Sequence, residues 1–320
     1  MVILNIIIFL LGLCLLILGS NWLIQGSVKL SILFKLSPLF IGLILIAFGT
    51  SAPEAAIGII AALRDQKGIA LGNIIGSNIS NIGLILGLCA LVMPLGVNKR
   101  IFKLEIPIML ASVALFYFLS LDLLISRIDG LIFIGAFIAF CVSAYYGAKK
   151  SFDHAELEGF KLKKILQKLN SRFFLFTIIL ASLAVIVWGA NLMVKAGVDL
   201  ATIFGVNPWI IGITIFAIGS SLPELAASLT ASLKKVPSIS VGNIVGSNIF
   251  NILFVMGIVA LIRPITLESS VLGFEFPVLI IFSFALFIVM RIGYKISRLR
   301  GLFLFLGYIT FIFFLLKRWG

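Results

Sequence analysis

Histidine is nearly missing from this chain: His154 is the single one in 320 residues, and it stands in the polar stretch DHAELEG. That shortage excludes a histidine-built metal cluster, an HExxH helix and a Ser/His pair inside the apolar segments, and so argues against an intramembrane enzyme. Cysteine is almost as scarce. Cys14, Cys89 and Cys141 are odd in number and all fall within apolar stretches, which fits buried inert thiols rather than a disulfide frame or a zinc site. Charge is the third shortage: Asp, Glu, Lys and Arg make up 12% of the chain, against roughly 25% in an ordinary soluble domain.

What fills the space is apolar. Hydrophobic residues reach 62%, in segments of about 20 residues that each match a hydrocarbon core of roughly 30 Å. Ten such segments are expected to span a bilayer: about 3–24, 38–62, 69–93, 104–121, 130–148, 173–194, 208–233, 239–262, 274–292 and 299–316. The first has no basic leader and no small-residue cleavage pattern before Asn21 and Trp22, so it reads as a retained helix. The expected fold is an all-α polytopic membrane protein of ten transmembrane helices.

The formal charge of +13 is scattered over the joints between segments, which argues against nucleic acid as a partner. Most of the 25 lysines and arginines fall on alternate joints: Lys29 and Lys35; Lys99, Arg100 and Lys103; the run from Lys149 to Arg172; Lys234 and Lys235; and Arg291, Lys295, Arg298 and Arg300. Arg64, Lys67, Arg127, Lys195, Arg263, Lys317 and Arg318 mark the other side. Because cytoplasmic joints are enriched in Lys and Arg, both termini are expected outside the cell membrane and the central loop inside.

Self-similarity organises the rest. FKLSPLFIGLILIAFGTSAPE, Phe34 to Glu54, aligns without a gap to FGVNPWIIGITIFAIGSSLPE, Phe204 to Glu224, and LGNIIGSNISNIG from Leu71 aligns to VGNIVGSNIFNIL from Val241, 170 positions later. Each half holds five segments, an odd number, so the second enters the membrane from the opposite side. The chain divides into a first repeat at 1–148, a cytoplasmic linker at 149–172 and a second repeat at 173–320, with inverted topology. Within the linker, Lys161 to Leu169 could form a basic amphipathic turn or a merely solvated connector. Inverted repeats place their site near the midplane, where interrupted helices of the two halves meet.

Glu54 and Glu224 are the residues that need explaining. Each lies about sixteen residues into its segment, deep in the bilayer at 1.5 Å per residue, and no Lys or Arg occurs within nine residues of Glu54. An unpaired carboxylate there costs at least about 2.5 to 3.5 kcal/mol, so an acid in both equivalent places points to function. Pro53 and Pro223 precede the acids, with Gly49 and Gly219 upstream, and should open the backbone between glycine and acid. The carbonyls so freed are expected to be those of Ala47 and Ala217, beside the hydroxyls of Thr50, Ser51, Ser220 and Ser221.

The second motif, GNIIGSN and GNIVGSN, carries two expectations. Gly72, Gly76, Gly242 and Gly246 should make a close-packing helix face. Asn73, Ser77 and Asn81, and likewise Asn243, Ser247 and Asn251, stand at spacing four on one stripe, facing the broken acidic helices. The resulting cage offers hard oxygen donors only, which suits Ca2+, Mg2+ or alkali ions and argues against zinc, copper or iron. Ca2+, with six to eight oxygens in flexible geometry, fits better than Mg2+. Two carboxylates neutralise one Ca2+ or two Na+; a third Na+ would make transport electrogenic.

In these motifs, GTSAPE with GSSLPE and GNxxGSNxxN in each half, the chain resembles the Ca2+/cation antiporter superfamily, most nearly the prokaryotic Na+/Ca2+ exchangers. The resemblance covers the whole ten-segment layout. It implies ion sites on the second, third, seventh and eighth helices, with the first and sixth sliding across them. Carried over by position, the ligands would be Ala47, Thr50, Ser51, Glu54, Ser77 and Asn81, and Ala217, Ser220, Ser221, Glu224, Ser247 and Asn251, with the two glutamates holding Ca2+ and sharing Na+. Asn251 stands where some archaeal and K+-dependent relatives have aspartate, which implies K+ independence. The acid or histidine typical of proton-coupled relatives is not found near the motif, which favours Na+ coupling over Ca2+/H+ exchange. A channel built on the same cage is the further alternative. No prosthetic group and no obligatory protein partner are expected beyond the lipid bilayer and the transported Ca2+ and Na+.

Overall fold

The computed structural model describes residues 2–150, 162, 163, 166, 171–204 and 217–319. The chain is mostly helical: α1 (Val2–Phe34), α2 (Pro38–Thr50), α3 (Ala52–Leu63), α4 (Lys67–Val92), α5 (Ile101–Leu119), α6 (Arg127–Lys150), α7 (Arg172–Ile203), α8 (Ala217–Ser220), α9 (Leu222–Leu233), α10 (Pro237–Ile262), α11 (Ser269–Gly273), α12 (Glu275–Arg291) and α13 (Arg298–Trp319). Eight helical runs among the described residues are long and apolar enough to cross a membrane, and α2 with α3, bent by 44°, forms a ninth. The expected segment at 208–233 begins outside the described residues, as do most of the linker, His154 and the turn at Lys161–Leu169.

Helix boundaries follow local chemistry. Ser37 caps α2 by accepting the Phe40 amide at 3.3 Å, and Pro38 follows it at the first helical position, where a missing N–H costs nothing. α1, α3 and α9 end alike, with a non-glycine residue in left-handed backbone at Lys35, Asp65 and Lys235. The next amides, of Leu36, Gln66 and Val236, reach back to the carbonyls of Ser31, Ala61 and Ala231 and satisfy the last helical turn. α1 runs well beyond the expected end near residue 24. Its polar tail stays helical because residues 23–31, Lys29 included, are buried within the protein.

α4 and α10 occupy the centre, each mostly enclosed, while α6 and α13 lie outside with exposed apolar faces. Both central helices widen into a π-helical turn, at Asn81–Leu86 and Phe250–Val255. Such turns shift side-chain register and recur at functional sites. Two short antiparallel pairs tie the halves together: β1 (Leu95–Gly96) with β4 (Lys295–Ile296), and β2 (Leu124–Ile125) with β3 (Ile265–Thr266).

α1 packs along α7 through glycines spaced by seven. A Cβ on Gly12 would meet the Gly189 carbonyl at 2.7 Å, one on Gly19 the Ile186 side chain at 2.7 Å, and one on Gly26 the Ile179 side chain at 3.1 Å. Small residues let two backbones approach this closely. α1 also meets α9, where the Ser20 and Thr230 hydroxyls lie 2.7 Å apart and share a hydrogen bond.

Candidate functional site

The break between α2 and α3 falls at Ser51 (φ −83°, ψ 8°), and that between α8 and α9 at Ser221 (φ −90°, ψ 6°). Pro53 and Pro223 each sit in the first turn beyond the break, where proline is tolerated but cannot donate to the turn before. Glu54 and Glu224 follow in the same first turn, where the helix N-terminus favours an anion. One expectation needs correcting here. The Ala47 carbonyl is not freed: it accepts the Ser51 amide at 3.0 Å and the Thr50 hydroxyl at 3.5 Å. Helical hydrogen bonds run from residue i to i−4, so Pro53 withdraws its amide from Gly49 instead.

The two acids are held crosswise. Ser51 Oγ donates to Glu224 Oε1 at 2.7 Å, and Ser221 Oγ donates to Glu54 Oε1 at 3.4 Å, so each carboxylate is bonded by the serine that breaks the opposite half. Both acids are buried, at 1% and 0% exposure. No lysine, arginine or histidine pairs with either among the described residues. Ser220 stands beside the Glu54 carboxylate, and Thr50 and Ser247 beside that of Glu224. Glu54 Oε2, Glu224 Oε2, Asn81 Oδ1, Ser247 Oγ and both polar atoms of Asn251 are buried with no hydrogen-bond partner among the described residues. Buried polar atoms are almost always bonded, and Glu54 Oε2 and Glu224 Oε2, on carboxylates with no basic partner among the described residues, are oxygens of the kind a hard cation takes.

The expected residues sort into two groups. Thr50, Ser51, Glu54, Ser221 and Glu224 converge at the crossed break, and Ser77, Asn81, Ser247 and Asn251 are buried on the central helices. Ala217 opens α8. Asn73 and Asn243 are stitches: Asn73 Nδ2 donates to the Glu54 carbonyl at 3.0 Å, while Asn243 accepts from Thr50 at 3.3 Å and donates to Ser228 Oγ at 2.9 Å. The glycine face is close-packed at Gly242 and Gly246, against the Leu39 and Leu43 carbonyls. At Gly72 and Gly76 a Cβ would meet nothing among the described residues. Residues 209 and 213, related by the repeat to Leu39 and Leu43, lie outside those described.

Sequence reasoning passed over Asn78 and Asn248, adjacent to the serines of the second motif. Asn81 Nδ2 donates to Asn248 Oδ1 at 2.9 Å, across the two halves. It also passed over Glu105, a third buried acid, which is neutralised by Arg100 at 3.1 Å. A basic residue five positions before it was the available signal.

No group of three or more His, Cys, Asp or Glu gathers among the described residues, so the donor set is two carboxylates with neutral oxygens, fit for a hard cation. Comparison with known proteins agrees in kind. The sodium/calcium exchanger protein family matches residues 4–146 and again 174–317. The chain belongs to this family. The exchanger is 32% identical over 345 residues to the sodium/calcium exchanger MaX1 of Methanosarcina acetivorans, covering 98% of each chain. It is 34% identical over 306 residues to CaxA of Alkalimonas amylolytica, an antiporter by name, covering 94% and 95%. Among solved structures it matches the sodium-calcium exchanger NCX_Mj soaked with Na+ and Ca2+, with a TM-score of 0.82, 32% identity, and coverage of 97% and 98%. The exchanger is thus a multi-pass membrane antiporter of cations, and not an enzyme.

Proposed function

We propose that this exchanger lets Na+ enter down its gradient to expel Ca2+, by alternating access at one acidic site near the membrane midplane. The observation that carries the reading is the crossed serine–glutamate pair, whose two outer carboxylate oxygens are buried without partner or counter-charge among the described residues. One Ca2+ or two Na+ cancels both charges and permits the apolar sliding of α1 and α7, whereas the empty site carries two bare charges and resists it. Obligatory exchange follows from that difference. Glu54 and Glu224 hold Ca2+ and share Na+, with Thr50, Ser51, Ser77, Asn81, Ser220, Ser221, Ser247, Asn251 and the carbonyls of Ala47 and Ala217 completing the ligands. The Ala47 carbonyl already accepts the Ser51 amide and the Thr50 hydroxyl, so as a ligand it would have to give up the longer of the two, the 3.5 Å bond from Thr50.

The architecture proposed is ten spans in two inverted repeats, 1–148 and 173–320, joined by a cytoplasmic linker, with both termini outside. Three observations support it. One family matches both halves. β1 and β3 are repeat equivalents, as are β2 and β4, and each pairs with a strand of the opposite half. The left-handed turns at Asp65 and Lys235 lie 170 residues apart.

The test is exchange in proteoliposomes. An outward Na+ gradient is expected to drive uptake of labelled Ca2+ by the wild type, and Glu54→Gln and Glu224→Gln are each expected to abolish it. Undiminished uptake in either variant refutes the site. Uptake driven by a pH gradient alone, without Na+, would replace Na+ coupling with H+ coupling.

A further inference from the structure

Asn78 and Asn248 are repeat partners, as are Asn81 and Asn251, yet the structure treats the pairs unequally. Asn248 Nδ2 faces two atoms that can only accept, the Asn78 carbonyl at 3.4 Å and Met109 Sδ at 3.8 Å. A carboxamide has one donating and one accepting end, so this fixes Asn248 Oδ1 toward Asn81. Asn81 must answer with its nitrogen, and does so at 2.9 Å. Its oxygen is buried with no partner among the described residues, in the π-helical turn that packs against the Glu224 helix α9. A main-chain carbonyl thus sets the orientation of two side chains in series.

The mirror arrangement is broken. Asn78 turns its own nitrogen back to the Ile74 carbonyl at 2.7 Å and cannot orient Asn251 in the same way. Both polar atoms of Asn251 have no partner among the described residues.

We infer that Asn248 is a positioning residue that holds the Asn81 carboxamide with its oxygen presented to the ion, so that the first half offers a preset neutral donor and the second half does not. The inference rests on the ion-exchange reading of the site. Ligand-orienting partners behind a metal site are worth about 10- to 100-fold in affinity, because an amide free to rotate presents its NH2 part of the time.

The experiment compares Asn248→Val with Asn248→Thr in the full-length protein in nanodiscs, by calorimetric titration with Ca2+. Threonine can donate to the Asn78 carbonyl and accept from Asn81; valine has the same shape and does neither. Asn248→Val is expected to weaken Ca2+ binding about tenfold, and Asn248→Thr by less than about threefold. In an Asn81→Ala background the gap between the two should close. The repeat-related Asn78→Ala, which leaves its backbone carbonyl in place, should shift affinity less than Asn248→Val, whereas a purely structural role would treat the two asparagines alike. If Asn248→Val is not monodisperse, Asn248→Ala takes its place. Equal losses for valine and threonine, or a gap that survives in Asn81→Ala, overturn the inference while leaving the exchange reading intact. A wild type that binds no Ca2+ overturns both.

Discussion

Among the buried acids the presence of a counter-charge separates structure from function. Glu105 has Arg100 at 3.1 Å; Glu54 and Glu224 have no basic partner among the described residues and are each bonded by a serine hydroxyl of the opposite half. Those two hydroxyl bonds differ, 2.7 Å against 3.4 Å, and a hydrogen bond to a charged group is worth about 1.5–3 kcal/mol when well formed. Ser51→Ala should therefore raise the half-saturating Ca2+ concentration by about tenfold or more, and Ser221→Ala by only a few-fold, in the same exchange assay. The acids and serines were legible in GTSAPE and GSSLPE because a carboxylate in an apolar run is conspicuous. Their crossing was not, since a contact between residues so far apart leaves no local pattern. Nor was the fate of Ala47: the motif shows where proline breaks a helix, but the i→i−4 rule moves the lost bond to Gly49.

At the scale of elements, α1 and α7 approach each other backbone to backbone. A Cβ on Gly12 would meet backbone atoms, the Gly189 carbonyl at 2.7 Å and the Met193 amide nitrogen at 2.9 Å, whereas one on Gly26 would meet the movable Ile179 side chain at 3.1 Å. Gly12→Ala is expected to destabilise the protein by about 1–3 kcal/mol, and Gly26→Ala to be nearly neutral, read as thermal unfolding in detergent. The glycines at 12, 19 and 26 went unread in the sequence, and a spacing of seven does not name its partner helix. The two-residue strands were beyond sequence reading altogether, because a period of two needs several residues to show. Segment ends were misjudged where burial inside protein, as at Gln25 and Lys29, lets a polar stretch continue a helix.

Over the whole molecule, the pairing of β1 with β4 gathers Lys99, Lys295, Arg298 and Arg300 near one face, while Arg127 and Arg263 lie near the β2 and β3 pair at the other. With the three cysteines replaced, Asp122→Cys should react with a membrane-impermeant maleimide in intact cells and Lys99→Cys should not; both residues are exposed, so reversed labelling would invert the proposed orientation. The internal repeat was the most legible feature of all, since two gapless alignments need no structure to see. Its imperfections were not. Ser20 is bonded to Thr230, but the positions related to them by the repeat are Ala190 and Ile60, which have no hydroxyls to share. The strand pairs and the left-handed turns recur in both halves, while this clasp joins residues of which the repeat keeps neither hydroxyl. Sliding α1 across α9 in the proposed cycle has to unfasten it, and travel in the opposite half meets no matching catch, so the two rest positions of the cycle are unequal in energy and inward and outward strokes face different barriers.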